Sequence, residues 1–318
     1  MIGKKLKLIS GNANRPLAEE ISHSLGIELC DTAIERFSDG EIRVRIRKTV
    51  RGADVFIIQP TCPPVNDNLM ELLIIIDALR RASARKIIAV VPYYGYARQD
   101  RKHTGRVPIT ARLVANLIET AGADHGLTLD LHAGQIQGFF NIPLDNLEVA
   151  PIFARYLKET VKNLEDTVIV SPDAGGTARA RLLAERVNLP LAVLEKRRSA
   201  DSAEVKVVNV IGEVEGKRAI LVDDIVSSGC TLIRGAQTLL DHGATETSAY
   251  CAHGVFSGDA LDALVNSPLK KVVVTNTIFH QRAEKSDIVE YIPVGEHLAK
   301  TIRRIFENKS VSHLFPHN

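Results

Sequence analysis

The chain has 318 residues, 45% apolar and 25% charged, which suits about two globular domains with a sizeable buried core. Forty Lys and Arg against 38 Asp and Glu leave a formal charge of +2. That excludes an acidic disordered tail and gives no overall basic signal for nucleic acid, so any anion site must be a local cluster. The longest aliphatic run, Leu72 to Ile76, is framed by Glu71 and Asp77 and falls far short of a membrane span. After Lys4, Lys5 and Lys7 the apolar stretch is too short for a secretory core and is interrupted by Gly11 and Asn12. Cys30, Cys62, Cys230 and Cys251 have no metal-finger spacing and read as reduced thiols of a cytoplasmic protein.

In chain order, short β-branched runs alternate with amphipathic helices. Lys5 to Ser10 reads as a strand, followed by a turn at 11–14 and a helix with Pro16 in its first turn and Gly26 at its stop. Glu41 to Arg47 alternates charged residues with Ile42, Val44 and Ile46, the pattern of a half-exposed strand. Val55 to Gln59, Ile87 to Val91 and His125 to Leu129 suit central parallel strands, with helices over Asn68 to Ala82 and Thr110 to Ala121. The second half repeats the plan. Strands are expected near 168–170, 191–194, 219–222, 248–252 and 272–274, with helices near 177–186, 231–242 and 258–265. Strands separated by helices imply crossovers, hence an α/β fold with mostly parallel sheets flanked by helices. A weak echo between 128–134 and 221–224, each with acids where an apolar strand ends, divides the chain into 1–147 and 148–318.

Ligands of open α/β sheets bind beyond the carboxyl ends of the strands, and five segments fall at such ends. In Leu221-Val222-Asp223-Asp224-Ile225-Val226-Ser227-Ser228-Gly229-Cys230-Thr231 an apolar strand meets two carboxylates, a small-residue turn and a helix. Backbone N–H groups and the hydroxyls of Ser227, Ser228 and Thr231 suit a phosphate, and the acids suit a sugar diol. The turn alone serves equally as an ordinary connection capped by Thr231; the acid pair favours binding. Asp173, before Gly175 and Gly176, suits either a carboxylate near Mg²⁺ and phosphates or a simple cap. Asp130 and His132, read as one strand, point the same way and can converge. Tyr93-Tyr94-Gly95-Tyr96-Ala97-Arg98-Gln99-Asp100-Arg101-Lys102 could stack a base and hold phosphates through Arg98 and Arg101, or be a solvated charge run; single-stranded RNA is a minor rival. Glu195-Lys196-Arg197-Arg198, in a polar stretch reaching Glu204, suits a mobile loop that closes over a polyphosphate, or a surface basic patch.

Together these segments resemble the ribose-phosphate diphosphokinase (phosphoribosyl pyrophosphate synthetase) family over nearly the whole chain. The most specific stretches are Phe37-Ser38-Asp39-Gly40-Glu41, Asn66-Asp67-Asn68-Leu69-Met70-Glu71-Leu72, 95–102 and 130–140. The resemblance implies two phosphoribosyltransferase-type domains with the active site between them, an ATP side (1–147) and a ribose 5-phosphate side (148–318). It implies a homohexamer in which Phe37, Asp39, Gly40 and Glu41 reach ATP across a subunit interface. Arg98 and Gln99 would also bind ATP, and His132 and Asp173 would serve Mg²⁺. Lys196 and Arg198 would be the catalytic cations, and Asp223 and Asp224 would hold the ribose hydroxyls, Arg198 also serving that sugar phosphate. Residues Ser227, Ser228, Gly229, Cys230 and Thr231 would hold the 5-phosphate. ADP and phosphate are the implied allosteric ligands. The implied reaction moves the diphosphoryl group of ATP to the C1 hydroxyl of ribose 5-phosphate. The alternatives are a non-catalytic regulatory subunit and a phosphoribosyltransferase. One departure stands out: the family loop reads Asp-Thr-x-Gly-Thr where this chain has 227–231. Ser227 replaces the acid, and Cys230 places a Cβ where glycine allows positive φ, although Gly229 offers a shifted turn.

Overall fold

The protein is described from a computed structural model covering residues 5–161, 163–198 and 205–311, with the backbone alone at 196–198 and 205–208. It divides into two compact units, Met1–Glu148 with Thr277–Phe279 and Pro293–Asn318, and Val149–Asn276 with His280–Ile292.

The first unit is built on β1 (Leu6–Ser10), α1 (Arg15–Leu25), β2 (Thr32–Arg36), β3 (Ile42–Ile46), β4 (Asp54–Ile58), α2 (Val65–Arg81), β5 (Lys86–Val91), α3 (Thr110–Ala121), β6 (His125–Leu129) and β7 (Leu144–Leu147). Strands β1-β4-β5-β6-β7 form a parallel sheet in that order, and β2 and β3 form a separate antiparallel hairpin. Strand β4 is buried along its whole length, as a central parallel strand covered on both faces must be. Helix α1 opens where Asn14 Oδ1 accepts the Leu17 N–H at 3.2 Å and stops at Gly26, whose φ of 67° ends the turn without a Cβ penalty. Helix α2 starts three residues before the expected Asn68. That side chain is buried inside the first turn, where it donates to the Cys62 carbonyl at 2.8 Å.

The second unit contains α4 (Ala150–Thr160), β8 (Thr167–Ser171), α5 (Thr177–Val187), β9 (Leu191–Arg198), β10 (Val205–Ile211), β11 (Arg218–Val226), α6 (Cys230–Asp241), β12 (Glu246–Gly254), α7 (Ala260–Val265), β13 (Val272–Thr275) and β14 (Val289–Ile292). Its sheet runs β10-β9-β8-β11-β12-β13-β14, parallel except for β10 against β9. The core beneath it joins Val168, Val170, Leu194, Leu221, Leu232, Leu239, Cys251 and Val274, all buried.

Helix α8 (Gly295–Phe306) follows β14 but clusters with the first unit, so Pro293–Asn318 depart from the expected 148–318 grouping. The ties are specific: Gly295 N–H donates to Glu20 Oε1 at 2.9 Å, and Arg303 Nη2 donates to the Leu25 carbonyl at 2.9 Å. Sequence order cannot report such a return of the chain.

Elements β2, β7, α4, β10, β14 and α8 have no counterpart among those expected. The two four-residue strands β7 and β14 are mostly half-buried and show little alternation to detect. Helices α4 and α8 do carry legible apolar stripes, Phe153/Ala154/Leu157 and Leu298/Ala299/Ile302. Among the described residues no helix is long and apolar enough to cross a membrane. All four cysteines are unpaired with one another.

Phe153 is buried and sits edge-on to Tyr250 with ring centroids 5.6 Å apart. Phe153→Ala should destabilise the protein by about 3–5 kcal/mol, read as a lowered urea midpoint.

Candidate functional site

In the second unit, β11 lies between β8 and β12 and carries the acid pair. The strand does not end at the acids: it runs on to Val226 because Ile225 and Val226 pair with His253 and Gly254 of β12. The echo between the two halves is therefore one of composition, since β6 ends at Leu129, before Asp130. Asp224 is 5% exposed, and its Oδ1 lies 3.6 Å from Arg179 Nη1 on α5. The Asp224 N–H donates to Asp223 Oδ1 at 2.9 Å. Burial, then the Asp224 carboxylate beside it, pushes the Asp223 carboxyl far above its ordinary range, to about 8, and Arg179 opposes the shift only in part. Such a pair gains when a ligand offers it hydroxyl donors or a cation.

After Val226 the chain turns into α6. Gly229 has φ 78°, and its ideal Cβ would lie 3.1 Å from Leu264 Cδ2. The left-handed residue of this turn is thus Gly229, and Cys230 is the first residue of the helix with its side chain exposed. Thr231 is not the cap, because the helix has already begun. Ser228, Cys230 and Thr231 are exposed and Ser227 is half-buried, so hydroxyls and the α6 N-terminus share one rim.

Asp173 is half-buried, and its Oδ1 accepts the Gly176 N–H at 3.0 Å while Ser171 Oγ donates to its carbonyl at 2.6 Å. The carboxylate is held in a turn before α5, so capping and ligand binding are compatible there. Arg179, which follows on α5, is the site residue the motif reading gave no role. Its partner Asp224 is 45 positions away in sequence, and only the packing of α5 on β11 brings them together. Lys196, Arg197 and Arg198 lie in β9, paired with β10 from Val205 onward, rather than in a loop; their side chains and residues 199–204 lie outside the described residues. β10 supplies the partner that the polar sequence after 198 conceals.

In the first unit, the hairpin tip Phe37–Glu41 is wholly exposed. Phe37 N–H donates to the Glu41 carbonyl at 2.8 Å, Asp39 Oδ1 accepts the Glu41 N–H at 3.1 Å, and the Arg43 guanidinium lies 5.1 Å from the Phe37 ring centre. Arg98 and Gln99 are exposed after β5. Tyr93 and Tyr94 are not available to stack a base. Both are buried; Tyr94 donates to the Ala111 carbonyl at 2.9 Å and packs edge-on to Phe140. Tyr96, half-buried, bonds Asn66, leaving Arg98, Gln99, Arg101 and Lys102 as the exposed groups of that loop.

Asp130 and His132 do not share a strand face. Asp130 has φ 47°, which breaks the period-two alternation; it is buried, whereas His132 is exposed. The turn is held by Asp130 N–H on the Leu147 carbonyl at 2.7 Å and Leu131 N–H on Asn146 Oδ1 at 3.1 Å. A network that the motifs did not disclose fixes the 11–14 turn: buried Glu71 accepts from Asn12 N–H at 2.7 Å and from Gln59 Nε2 at 2.9 Å, and Gln59 Oε1 accepts the Ala13 N–H at 3.1 Å.

Because the folded-state pKa of Asp223 is raised from 3.8 to about 8, the native state holds a proton that the unfolded state has lost. Stability present below pH 4 is therefore lost as pH rises through 4–8. Between pH 5 and 8 the urea midpoint of the wild type should fall by the equivalent of about 1–3 kcal/mol more than that of Asp223→Asn.

Comparison with known proteins meets these geometries on both sides. Residues 6–122 match the family described as the N-terminal domain of ribose phosphate pyrophosphokinase, and residues 200–316 match the phosphoribosyl synthetase-associated domain. The ribose-phosphate pyrophosphokinase of Caldanaerobacter subterraneus subsp. tengcongensis is 55% identical over 312 residues, 98% of each chain. That of Thermotoga maritima is 53% identical, again over 98% of each. The crystal structure of phosphoribosylpyrophosphate synthetase from Mycobacterium smegmatis superposes with a TM-score of 0.90 at 40% identity, covering 96% of this chain and 100% of that one. By identity and coverage together, the chain belongs to the ribose-phosphate pyrophosphokinase family.

Proposed function

We propose that this chain transfers the diphosphoryl group of ATP to the C1 hydroxyl of ribose 5-phosphate, releasing AMP and 5-phosphoribosyl 1-diphosphate. The product feeds purine, pyrimidine, NAD, histidine and tryptophan synthesis. The observation that carries the reading is the β11–α6 segment. An acid pair, Asp223 half-buried and Asp224 buried, leads into a turn whose left-handed residue is Gly229, with three exposed or half-exposed hydroxyls at the helix N-terminus. Asp223 and Asp224 hold the ribose hydroxyls, residues 227–231 hold the 5-phosphate, and Phe37, Asp39, Gly40, Glu41, Arg98 and Gln99 hold ATP. The shift of glycine from the family position to 229 keeps the positive φ that the turn needs, which supports catalysis over a purely regulatory role.

The donor set suits Mg²⁺. Among the described residues no three His, Cys, Asp or Glu gather as a metal cage, while carboxylate oxygens stand at Asp173. A hard cation held by one or two protein ligands and by nucleotide phosphates needs no more. Asp173 and His132 would serve it, His132 through a bound water or phosphate contact, given the preference of Mg²⁺ for oxygen. When bound, it neutralises charge on the phosphates.

In the reaction the C1 oxygen bonds to the β-phosphorus and the bond from that phosphorus to the α,β-bridging oxygen breaks, leaving that oxygen on AMP. The proton of the C1 hydroxyl passes to solvent. The acids of β11 orient the sugar, the helix N-terminus fixes its phosphate, and Lys196 and Arg198 meet the charge that develops as the bond breaks. On the same reading the chain is a cytoplasmic homohexamer whose exposed Phe37 hairpin serves a neighbouring subunit, with ADP and phosphate as effectors.

Phosphorus NMR of the purified protein with ATP, Mg²⁺ and ribose 5-phosphate should show AMP and a C1 diphosphate. Nucleotide binding without turnover would favour the regulatory reading. Lys196→Ala should lower kcat by roughly 100-fold or more while changing ATP affinity little, measured by steady-state kinetics and calorimetry; normal turnover would remove Lys196 from catalysis.

A further inference from the structure

The sugar-phosphate turn is not self-contained. Three backbone hydrogen bonds fasten the segment after β12 onto the last residue of β11 and the first residue of the turn. Val255 N–H and Phe256 N–H both donate to the Val226 carbonyl, at 2.9 and 3.1 Å, and Ser257 N–H donates to the Ser227 carbonyl at 3.0 Å. The side chains meet as well, with Ser227 Oγ and Ser257 Oγ 3.0 Å apart. Ser257 is exposed, so the pair lies at the rim rather than in the core.

This placement rests on a strained residue. Phe256 has φ 46°, a left-handed conformation that a bulky residue rarely adopts. Its ring is buried, packed edge-on to His280 with centroids 5.7 Å apart and closed over Gly254, where an added Cβ would fall 2.4 Å from Phe256 Cε2. Surroundings that hold a phenylalanine in this way deliver Ser257 to Ser227, and strain retained beside a ligand turn points to use of the residue it positions.

We propose that Ser257 is a positioning residue of the ribose 5-phosphate site, acting through Ser227; the inference rests on the functional reading above. A serine hydroxyl has one proton and two acceptor positions. In a Ser–Ser pair one proton is spent between the oxygens and one remains, directed by the pair. With Ser257 donating to Ser227, the Ser227 proton is left for a phosphate oxygen and its hydroxyl changes from a rotor into an oriented donor. The loop gains by this pairing an ordering that its serine, lacking the charge of an acid at 227, does not have alone.

Steady-state kinetics with ribose 5-phosphate varied at saturating ATP test it. Ser257→Ala should raise the KM for ribose 5-phosphate about 5- to 20-fold, leaving kcat and the KM for ATP within about twofold. Ser257→Cys, close in size but a weak hydrogen-bonding partner, should show the same loss, and Ser257→Thr should restore the wild-type KM. In a Ser227→Ala background the Ser257→Ala change should add nothing, since the two act as one unit. An unchanged KM, a parallel fall in kcat, or full additivity with Ser227→Ala overturns the inference while leaving the diphosphoryl-transfer reading intact. A wild type that forms no AMP overturns that reading, and the assignment of Ser257 with it.

Discussion

The constraint on which the second unit depends is the double parallel pairing of β11. Hydrogen-bonded to β8 on one side and β12 on the other, it is fixed in register along its apolar part. It can therefore carry Asp224 into burial with half-buried Asp223 directly beside it. The cost is visible in Asp223, held protonated by burial and by Asp224 well above the usual carboxylate range. An acid pair in which the fold suppresses the second charge is poised to gain from a ligand's donors. Arg179 relieves Asp224 from α5 without satisfying both acids.

The backbone pays a related cost at the carboxyl ends of other strands. Tyr96 after β5, Asp130 after β6 and Phe256 after β12 have φ of 65°, 47° and 46°. Each is a non-glycine residue in the left-handed region, and each stands within a few residues of a group assigned to ligand binding. Strand ends must turn the chain sharply while presenting polar groups outward, and tight packing around the strained residue overrides its local preference. Elsewhere the left-handed positions are shared between glycines such as Gly26 and Gly122, the asparagines Asn188 and Asn308, and Ser83 and Arg106.

Other charged pairs among the described residues are of a different kind. Arg15 with Glu19, Arg81 with Asp77 and Lys300 with Glu296 are exposed i,i+4 pairs on helices, at 2.8, 2.7 and 2.6 Å. Each contributes at most a few tenths of a kcal/mol. They balance the net charge and keep surfaces hydrated. The buried carboxylates, Glu71 bonded by Gln59 and Asn12, and Asp224 beside Arg179, set local geometry instead, because at low exposure a missing partner is expensive.

The sequence by itself determined the α/β class, the limits of β6 and α3 to the residue, the acid pair, and the small-residue turn before α6. These follow from local rules: apolar period, glycine at a turn, and strand-then-helix order. Tertiary structure decided which chemistry each motif can offer. Tyr93 and Tyr94 belong to the core: both are buried, and the bond to Ala111 and the packing on Phe140 consume a Tyr94 ring that looks free in the sequence. Asp130 and His132 part ways because a single backbone angle ends the strand alternation. Arg179 reaches Asp224, and Ser257 reaches Ser227, across 45 and 30 positions, through the packing of α5 on β11 and the pairing of β11 with β12. Helix α8 returns to α1 over more than 270 positions. Contacts of that span depend on how whole elements pack, and no local pattern of residue types encodes them.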